Sequence, residues 1–408
     1  MDNSNSISAP IDTYDYIIAG AGCAGLSLLH YLVGNPLLSD KKILVIDRSL
    51  KKTNDRTWCF WEQSSGSFEH LVKHQWETIS IHASLFNKEL TTAPFSYKMI
   101  QGIDFYNDIM LVASANSNIY WKEATITNME VHTDSNQKYA SVYWEGGVAK
   151  AKIVFTSMLP FQMNSLNSAY TFDTKKGHKK STPFLWQHFK GRVVHFEQSV
   201  FNEKVARLMD FNVPQQGATA FMYLLPLNEK EALVEYTVFS DLILESAVYD
   251  HILDAYLNKV FPKQIYTIQH EEIGAIPMTL QIFTEFEAPI YKIGAVGDAI
   301  KASSGYAFQF IQLQCKNIID QLVKGNTIDT KVHTTRHRFY DAVLLHILFY
   351  HKMNGSEIFK RIFAKNKAAT IFKFLSNTST FWEDIQIMRS LPTRIFLPAA
   401  LLVLCRRG

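Results

Sequence analysis

The spacing Gly20-Ala21-Gly22-Cys23-Ala24-Gly25 constrains this chain more than any other feature. It directly follows the apolar run Tyr16-Ile17-Ile18-Ala19 and precedes Leu26-Ser27-Leu28-Leu29, which predicts strand, glycine turn, helix. In that order each glycine has a task. The first permits a tight turn, the second lets a pyrophosphate approach the backbone, and the third lets the helix pack close to the strand. The positive end of the helix dipole then faces the phosphates. Lys42-Ile43-Leu44-Val45-Ile46-Asp47 predicts a second strand ending in an acid, at the distance that suits a ribose hydroxyl. The predicted class is therefore α/β, with a Rossmann-like dinucleotide site at Gly20, Gly22, Gly25 and Asp47.

A chain of 408 residues has room for two or three domains. Its 47% hydrophobic content supports a large core, and 13% aromatic content suits either core or a long apolar ligand site. A net charge of +3 with no basic stripe gives no case for nucleic acid, and none is expected as a partner. Four scattered cysteines, without C-x-x-C or metal-ligand spacing, fit a reduced cytoplasmic setting with no metal. No apolar run reaches the length of about 18–20 residues that a spanning helix needs. Ile395 to Leu404, interrupted by Pro398 and followed by Arg406-Arg407, fits either a packed terminal helix or one at a bilayer interface. Lys175-Lys176-Gly177-His178-Lys179-Lys180 fits a solvated loop or a contact with anionic lipid.

Short strands are expected between Trp76 and Met99, a helix over Phe105–Ala115, and a hairpin near Asp134-Ser135-Asn136. Gln187–Glu197, Ala218–Leu225 and Ala232–Phe239 predict an antiparallel sheet inserted into the nucleotide domain. Tyr291-Lys292-Ile293-Gly294-Ala295-Val296-Gly297-Asp298 predicts a strand ending in Gly-Asp and entering a helix that runs to about Val323. It is similar to the segment by which flavoproteins of the two-dinucleotide-binding-domain type hold the flavin ribityl chain. Read alone, Gly297-Asp298 is a turn and a helix cap. From Thr334 onward the pattern is helical.

Longer segments carry a more specific likeness. Asp55-Arg56-Thr57-Trp58-Cys59-Phe60-Trp61, Gln187-His188-Phe189-Lys190-Gly191, Leu208-Met209-Asp210-Phe211, Leu233-Val234-Glu235-Tyr236-Thr237 and Ser304-Gly305-Tyr306-Ala307-Phe308 are similar to segments of the lycopene cyclase family. That family comprises the flavoproteins that close the end rings of linear carotenoids, and the resemblance is to its bacterial β-cyclases. Two positions depart from the pattern. Val154–Met158 lacks an acid where that strand meets the flavin in relatives, and the second acid of the L-x-E-E-T pattern is Tyr236 here.

The resemblance implies an α/β architecture. A Rossmann-like FAD-binding domain takes residues 1–75, 116–165 and 286–330, a substrate domain takes 76–115 and the antiparallel sheet of 166–285, and a helical region takes 331–408. It implies reduced FAD as cofactor, NAD(P)H as its reductant, a carotenoid substrate and peripheral contact with the cytoplasmic membrane. Glu235 becomes the candidate acid or base, the alternative being an ordinary glutamate on a sheet edge, and it lies on one face of its strand with Leu233, Thr237 and Phe239. Among apolar groups its pKa rises, as a proton donor to an alkene requires. Arg56 fits either a contact with the isoalloxazine or the pyrophosphate or an ion pair with Asp55 or Glu62, and Gly305 is expected near the flavin ring. Asp210 fits either an ordering role at the site or a turn cap. Trp58, Phe60, Trp61, Tyr223, Tyr236, Tyr306 and Phe308 are expected to flank a polyene, where aromatic faces stabilise cations. A flavin monooxygenase or isoprenoid reductase on the same scaffold is the competing enzyme. A silent carotenoid- or lipid-binding protein is the competing non-enzyme.

Overall fold

The computed structural model describes residues 12–49, 51–158, 183–281 and 286–405. The basic cluster Lys175–Lys180 and the Arg406-Arg407 pair lie outside the described residues.

Two seven-stranded sheets and a three-stranded one organise the chain. In the first sheet the order is Ile119–Glu123, Ile43–Asp47, Thr13–Ala19, Gly147–Thr156, Gln137–Trp144, Ile126–Asp134, with Ile290–Lys292 parallel to Gly147–Thr156. Thr13–Ala19 pairs in parallel with both neighbours, so its apolar residues are covered on both faces. The helices Cys23–Val33, Gly102–Ser114 and Phe308–Lys324 cover one face with a shared apolar cluster. The hairpin strands Ile126–Asp134 and Gln137–Trp144 contribute to the cluster on the other face. Their turn places Ser135 and Asn136 at φ 47° and 66°, the two left-handed positions a tight hairpin turn requires.

The second sheet runs Tyr266–Thr279, Phe184–Phe196, Glu231–Ser240, Thr219–Pro226, Val205–Asp210, Thr78–Ala83, Phe86–Thr91. Alternation sends Val234, Tyr236 and Val238 toward the helix Ser246–Val260, and Leu233 and Phe239 toward the opposite face. On the helix side Lys190 and Arg192 are buried but paired. Lys190 Nζ donates to Asp250 at 2.5 Å, and Arg192 reaches Asp250, Asp254 and Glu271 at 2.5–2.7 Å. Two cations in mid-strand are tolerable only with such partners.

The small sheet Thr57–Glu62, Ser96–Gln101, Val72–Trp76 connects the two halves. Five helices follow: Thr335–Phe349, Gly355–Lys365, Ala368–Leu375, Phe381–Arg389 and Thr393–Cys405. They complete the core on the Leu233 face of the second sheet. Lys301, fully buried, ties this layer to the nucleotide half by bonding Asp341 and Asn377, both at 2.8 Å.

One expectation is corrected. No helix starts at Asp298. A short turn of 3-10 helix, Gly294–Gly297, ends with Asp298 at φ 63°, and the long helix begins only at Phe308. The intervening loop folds back on itself through Gly305 N–H to Lys301 carbonyl at 2.8 Å.

Candidate active site

The two glycine motifs meet at the end of the first sheet. Gly20 has φ +106°, and a Cβ at Gly25 would lie 1.9 Å from the Gly20 carbonyl oxygen, so no larger residue fits there. A Cβ at Gly22 would meet nothing within 4 Å, leaving open space beside the start of helix Cys23–Val33. Asp47 Oδ2 accepts the Ala21 N–H at 2.6 Å, which sets that acid against the loop. Gly294, at φ +63°, abuts this helix: a Cβ there would lie 2.7 Å from Ala24 Cβ. Gly297 shapes the turn, because a Cβ on it would strike the Lys292 carbonyl at 2.4 Å. Asp298 pairs with Arg338 of the helical region.

A cavity of about 230 Å³ opens between the Gly305–Phe308 loop and the second sheet. Arg56, Gly305 and Glu235 all line it, so three of the sequence-derived candidates converge. Trp58, Tyr223, Tyr306 and Phe308 form its aromatic wall. Trp61 is instead core, stacked on Phe372 and donating to Ser376 Oγ at 2.6 Å, and Phe60 stacks on Phe308 outside this cavity. Tyr236 is also corrected: it faces the opposite side of the sheet, where its hydroxyl donates to the Pro214 carbonyl at 2.5 Å. Asp210 accepts from the Tyr256 hydroxyl at 2.9 Å and from Arg207 at 3.4 Å, a structural tie away from the cavity.

Opposite Glu235 stands a second carboxyl. Gly191 on the intervening strand is in register with Glu235 on one side and Glu272 on the other. All three point to the cavity face, and glycine leaves the gap across which the two acids interact. A Cβ at Gly191 would come within 3.2–3.4 Å of Leu233, Glu272 and Glu235. Thr237 Oγ1 donates to Glu235 Oε1 at 2.7 Å, and Thr57 Oγ1 donates to Glu272 Oε2 at 2.8 Å. Burial pushes Glu235 up to about 8, and the like charge of Glu272 adds to the shift. Burial also raises Glu272, against the pull of the Thr57 hydrogen bond and the Arg56 charge. Arg56 makes neither of the expected carboxylate pairs. Its Nη1 donates to the carbonyls of Asp55 and Ile273, at 2.7 and 2.8 Å.

Gln187 Oε1, buried on this wall, has no hydrogen-bond partner, and a Cβ at Gly305 would lie 1.9 Å from it. A buried acceptor without a donor is open to a hydrogen bond from a bound polar group. Glu272, Thr57, Thr237 and Gln187 are the residues sequence reasoning did not single out as site residues. Gln187 and Thr57 sit inside the segments that carried the family likeness. Glu272 had no signal beyond a pair of adjacent acids.

The sequence model described as lycopene cyclase protein matches residues 15–400. The chain belongs to the lycopene cyclase family. A lycopene beta-cyclase of Pantoea ananas is 24% identical over 275 residues, which are 65% of this chain and 63% of that protein. The match therefore spans less than two thirds of the relative's length. Among solved structures, a geranylgeranyl bacteriochlorophyll reductase-like protein of Thermoplasma acidophilum superposes with a TM-score of 0.56 at 11% identity, over 97% of this chain and 99% of that one. HpxO of Klebsiella pneumoniae, complexed with FAD, gives 0.57 at 11% identity over 90% and 98%. The p-nitrophenol 4-monooxygenase PnpA of Pseudomonas putida gives 0.55 at 11% identity over 96% and 98%. These likenesses establish the α/β fold of FAD-dependent monooxygenases and reductases, and fold alone does not fix the reaction. Within the lycopene cyclase family the departure at Tyr236 now has a place: that position points away from the cavity that holds Glu235.

Proposed function

We propose that this member of the family is a lycopene beta-cyclase. It closes the ψ end groups of lycopene into β-rings, giving γ- and then β-carotene as isomers of the substrate. The observation that carries this reading is the Glu235 carboxyl, shifted to about 8 by burial and by Glu272 inside an aromatic-walled cavity. Such a group keeps its proton at neutral pH, as lysozyme-type general acids do.

Glu235 gives its proton to the terminal double bond, and a tertiary carbocation forms. The internal double bond attacks it, making the carbon–carbon bond that closes the six-membered ring. The ring cation then loses a proton to a carboxylate of the Glu235–Glu272 pair. One proton enters and one leaves, so no net oxidation occurs. The aromatic faces of Trp58 and Phe308 stabilise positive charge, and the apolar walls exclude water that would trap the cation.

The residues fit FAD. The Gly20–Gly25 loop and Asp47 suit the pyrophosphate and ribose, Asp298 the ribityl chain, and Arg56, Gly305 and the unpartnered Gln187 oxygen the flavin end. When bound and kept reduced by NAD(P)H, FAD supplies a negative charge to set beside a cation. Peripheral contact with the cytoplasmic membrane belongs to the same proposal. No helix among the described residues is long and apolar enough to cross a membrane. Leu397, Leu401, Leu402 and Leu404 on the last helix are nevertheless exposed, as is Trp382.

Expression in bacteria that accumulate lycopene tests the reading. Conversion to γ- or β-carotene is expected, with purified enzyme consuming far less than one NAD(P)H per ring. Unchanged lycopene with flavin-loaded protein, or NAD(P)H consumed in proportion to product, would point to a reductase or monooxygenase.

A further inference from the structure

The Glu235 cavity has a back wall made of Tyr223 and Tyr306, whose phenols face each other. The same two residues line a second, narrow space of about 30 Å³ behind them. Leu344, Ile362 and Phe374 bound that neck, and with Ser303 they also wall a third cavity, of about 280 Å³. Leu391, just before the last helix, and Thr393, Leu397 and Ala400 on it also line the third cavity. Three spaces therefore lie in series, from the buried carboxyl pair to a helix whose outer side exposes leucine.

The path suits one kind of ligand. Among the described residues no charged one lines the neck, and the outer cavity is lined by Asp341, which is neutralised by Lys301 at 2.8 Å and accepts from Ser303 at 2.6 Å. The remaining walls are almost entirely aliphatic and aromatic. An apolar void of this size is unfavourable when empty, because its lining loses packing partners. A compact polar substrate would gain nothing from it. A molecule with a reactive group at each end must hold its unreacted length somewhere while the first end sits at Glu235.

We propose that these three spaces form one binding channel for a long, linear, apolar polyene. The reacting end group lies at Glu235, the chain passes the neck between Leu344, Ile362 and Phe374, and the remainder leaves beside the last helix. The proposal rests on the cyclase reading for the identity of the polyene. Entry is by the reacting end: that end group must thread the neck first, so neck width governs access and leaves the chemistry at Glu235 untouched.

Two experiments on the flavin-loaded full chain test it. Leu344→Trp and Ile362→Trp narrow the neck without touching the Glu235 cavity. Lycopene turnover should fall at least tenfold, with flavin content kept. Turnover within twofold of wild type would overturn the proposal. Should the bulky variants fail to fold, Leu344→Cys serves instead. Mass spectrometry follows alkylation of that thiol by iodoacetamide, with and without lycopene in detergent micelles. Lycopene should slow alkylation at least fivefold. Unprotected alkylation, or a thiol that the reagent never reaches, would overturn the channel. Protection without turnover would keep the channel and sink the cyclase reading, so the two failures are distinguishable.

Discussion

Replacing Glu272 by Gln removes one carboxyl across Gly191 while keeping an acceptor for the Thr57 hydroxyl. Neighbouring strands lie about 4.8 Å apart, which sets the backbones of Glu235 and Glu272 about 10 Å from each other. Their side chains both point into the cavity, so the charges approach more closely than that. The two carboxyls lie within side-chain hydrogen-bonding reach of each other, and at ~4–7 Å and an effective dielectric of ~20, two like charges repel by about 2.4–4 kcal/mol. With both groups ionised that repulsion corresponds to roughly 2–3 pKa units, and because the Glu272 pKa is itself raised only part of it is felt. Burial is the larger cause of the shift to about 8, so it remains in the variant and Glu235 stays above its ordinary value. The sign is fixed by the role. Glu235 donates only when protonated, so activity falls as pH rises through its pKa. Removing a like charge favours the carboxylate and moves that fall to lower pH. The assay is a pH–rate profile for flavin-loaded enzyme in lycopene-containing vesicles, from about pH 5.5 to 9.5. Wild type should lose activity through about pH 8, and Glu272→Gln about one unit earlier. An alkaline limb that does not move, or moves upward, would refute the carboxyl coupling.

Further expectations concern stability and cofactor binding. Glu235 holds its proton more tightly folded than unfolded, so its contribution to stability is full below about pH 4.5 and lost as pH rises through about 8. Glu235→Gln should therefore gain in melting temperature relative to wild type as pH goes from 5 to 8, while losing cyclisation. A constant difference across that range would contradict the raised pKa. Asp341→Ala leaves Lys301 buried without a counter-charge, with the Asn377 bond alone, and should cost about 3–5 kcal/mol in denaturant unfolding; a loss under 1 kcal/mol would show that Lys301 finds another counter-charge. Gly25→Ala places a Cβ 1.9 Å from the Gly20 carbonyl oxygen, so the purified protein should lack flavin absorbance. Full flavin occupancy in that variant would mean the loop does not hold the cofactor.

The local signals were legible where spacing alone decides structure. Gly20, Gly22, Gly25 and Asp47 announced the strand–turn–helix–strand unit, and Ser135-Asn136 announced its hairpin, because left-handed turns and close packing admit few residue types. Alternation put Glu235 on the face of Leu233 and Phe239, as the sheet does. What failed was set by partners distant in sequence. The strand Tyr266–Thr279 is an edge strand with Pro277 and a largely polar outer half, so it lacks the pattern of a buried strand. Its register across Gly191, which makes Glu272 a site residue, is a tertiary fact. Asp298 resembled a helix entrance, but the Lys301–Gly305 turn and the bond to Arg338 hold it in a loop. Tyr236 was grouped with the polyene-facing aromatics on composition, although its neighbour Glu235 already fixed the opposite face.

The central claim is that a proton from a buried carboxyl initiates ring closure and that nothing is oxidised or reduced overall. Cyclisation of lycopene in heavy water, with unlabelled NAD(P)H and reduced flavin, tests this directly by mass spectrometry of the products. The account requires one deuteron retained per ring, one in γ-carotene and two in β-carotene, each with its proton lost elsewhere in the same ring. Products without deuterium, or with a mass raised by added hydrogen or oxygen, would contradict it.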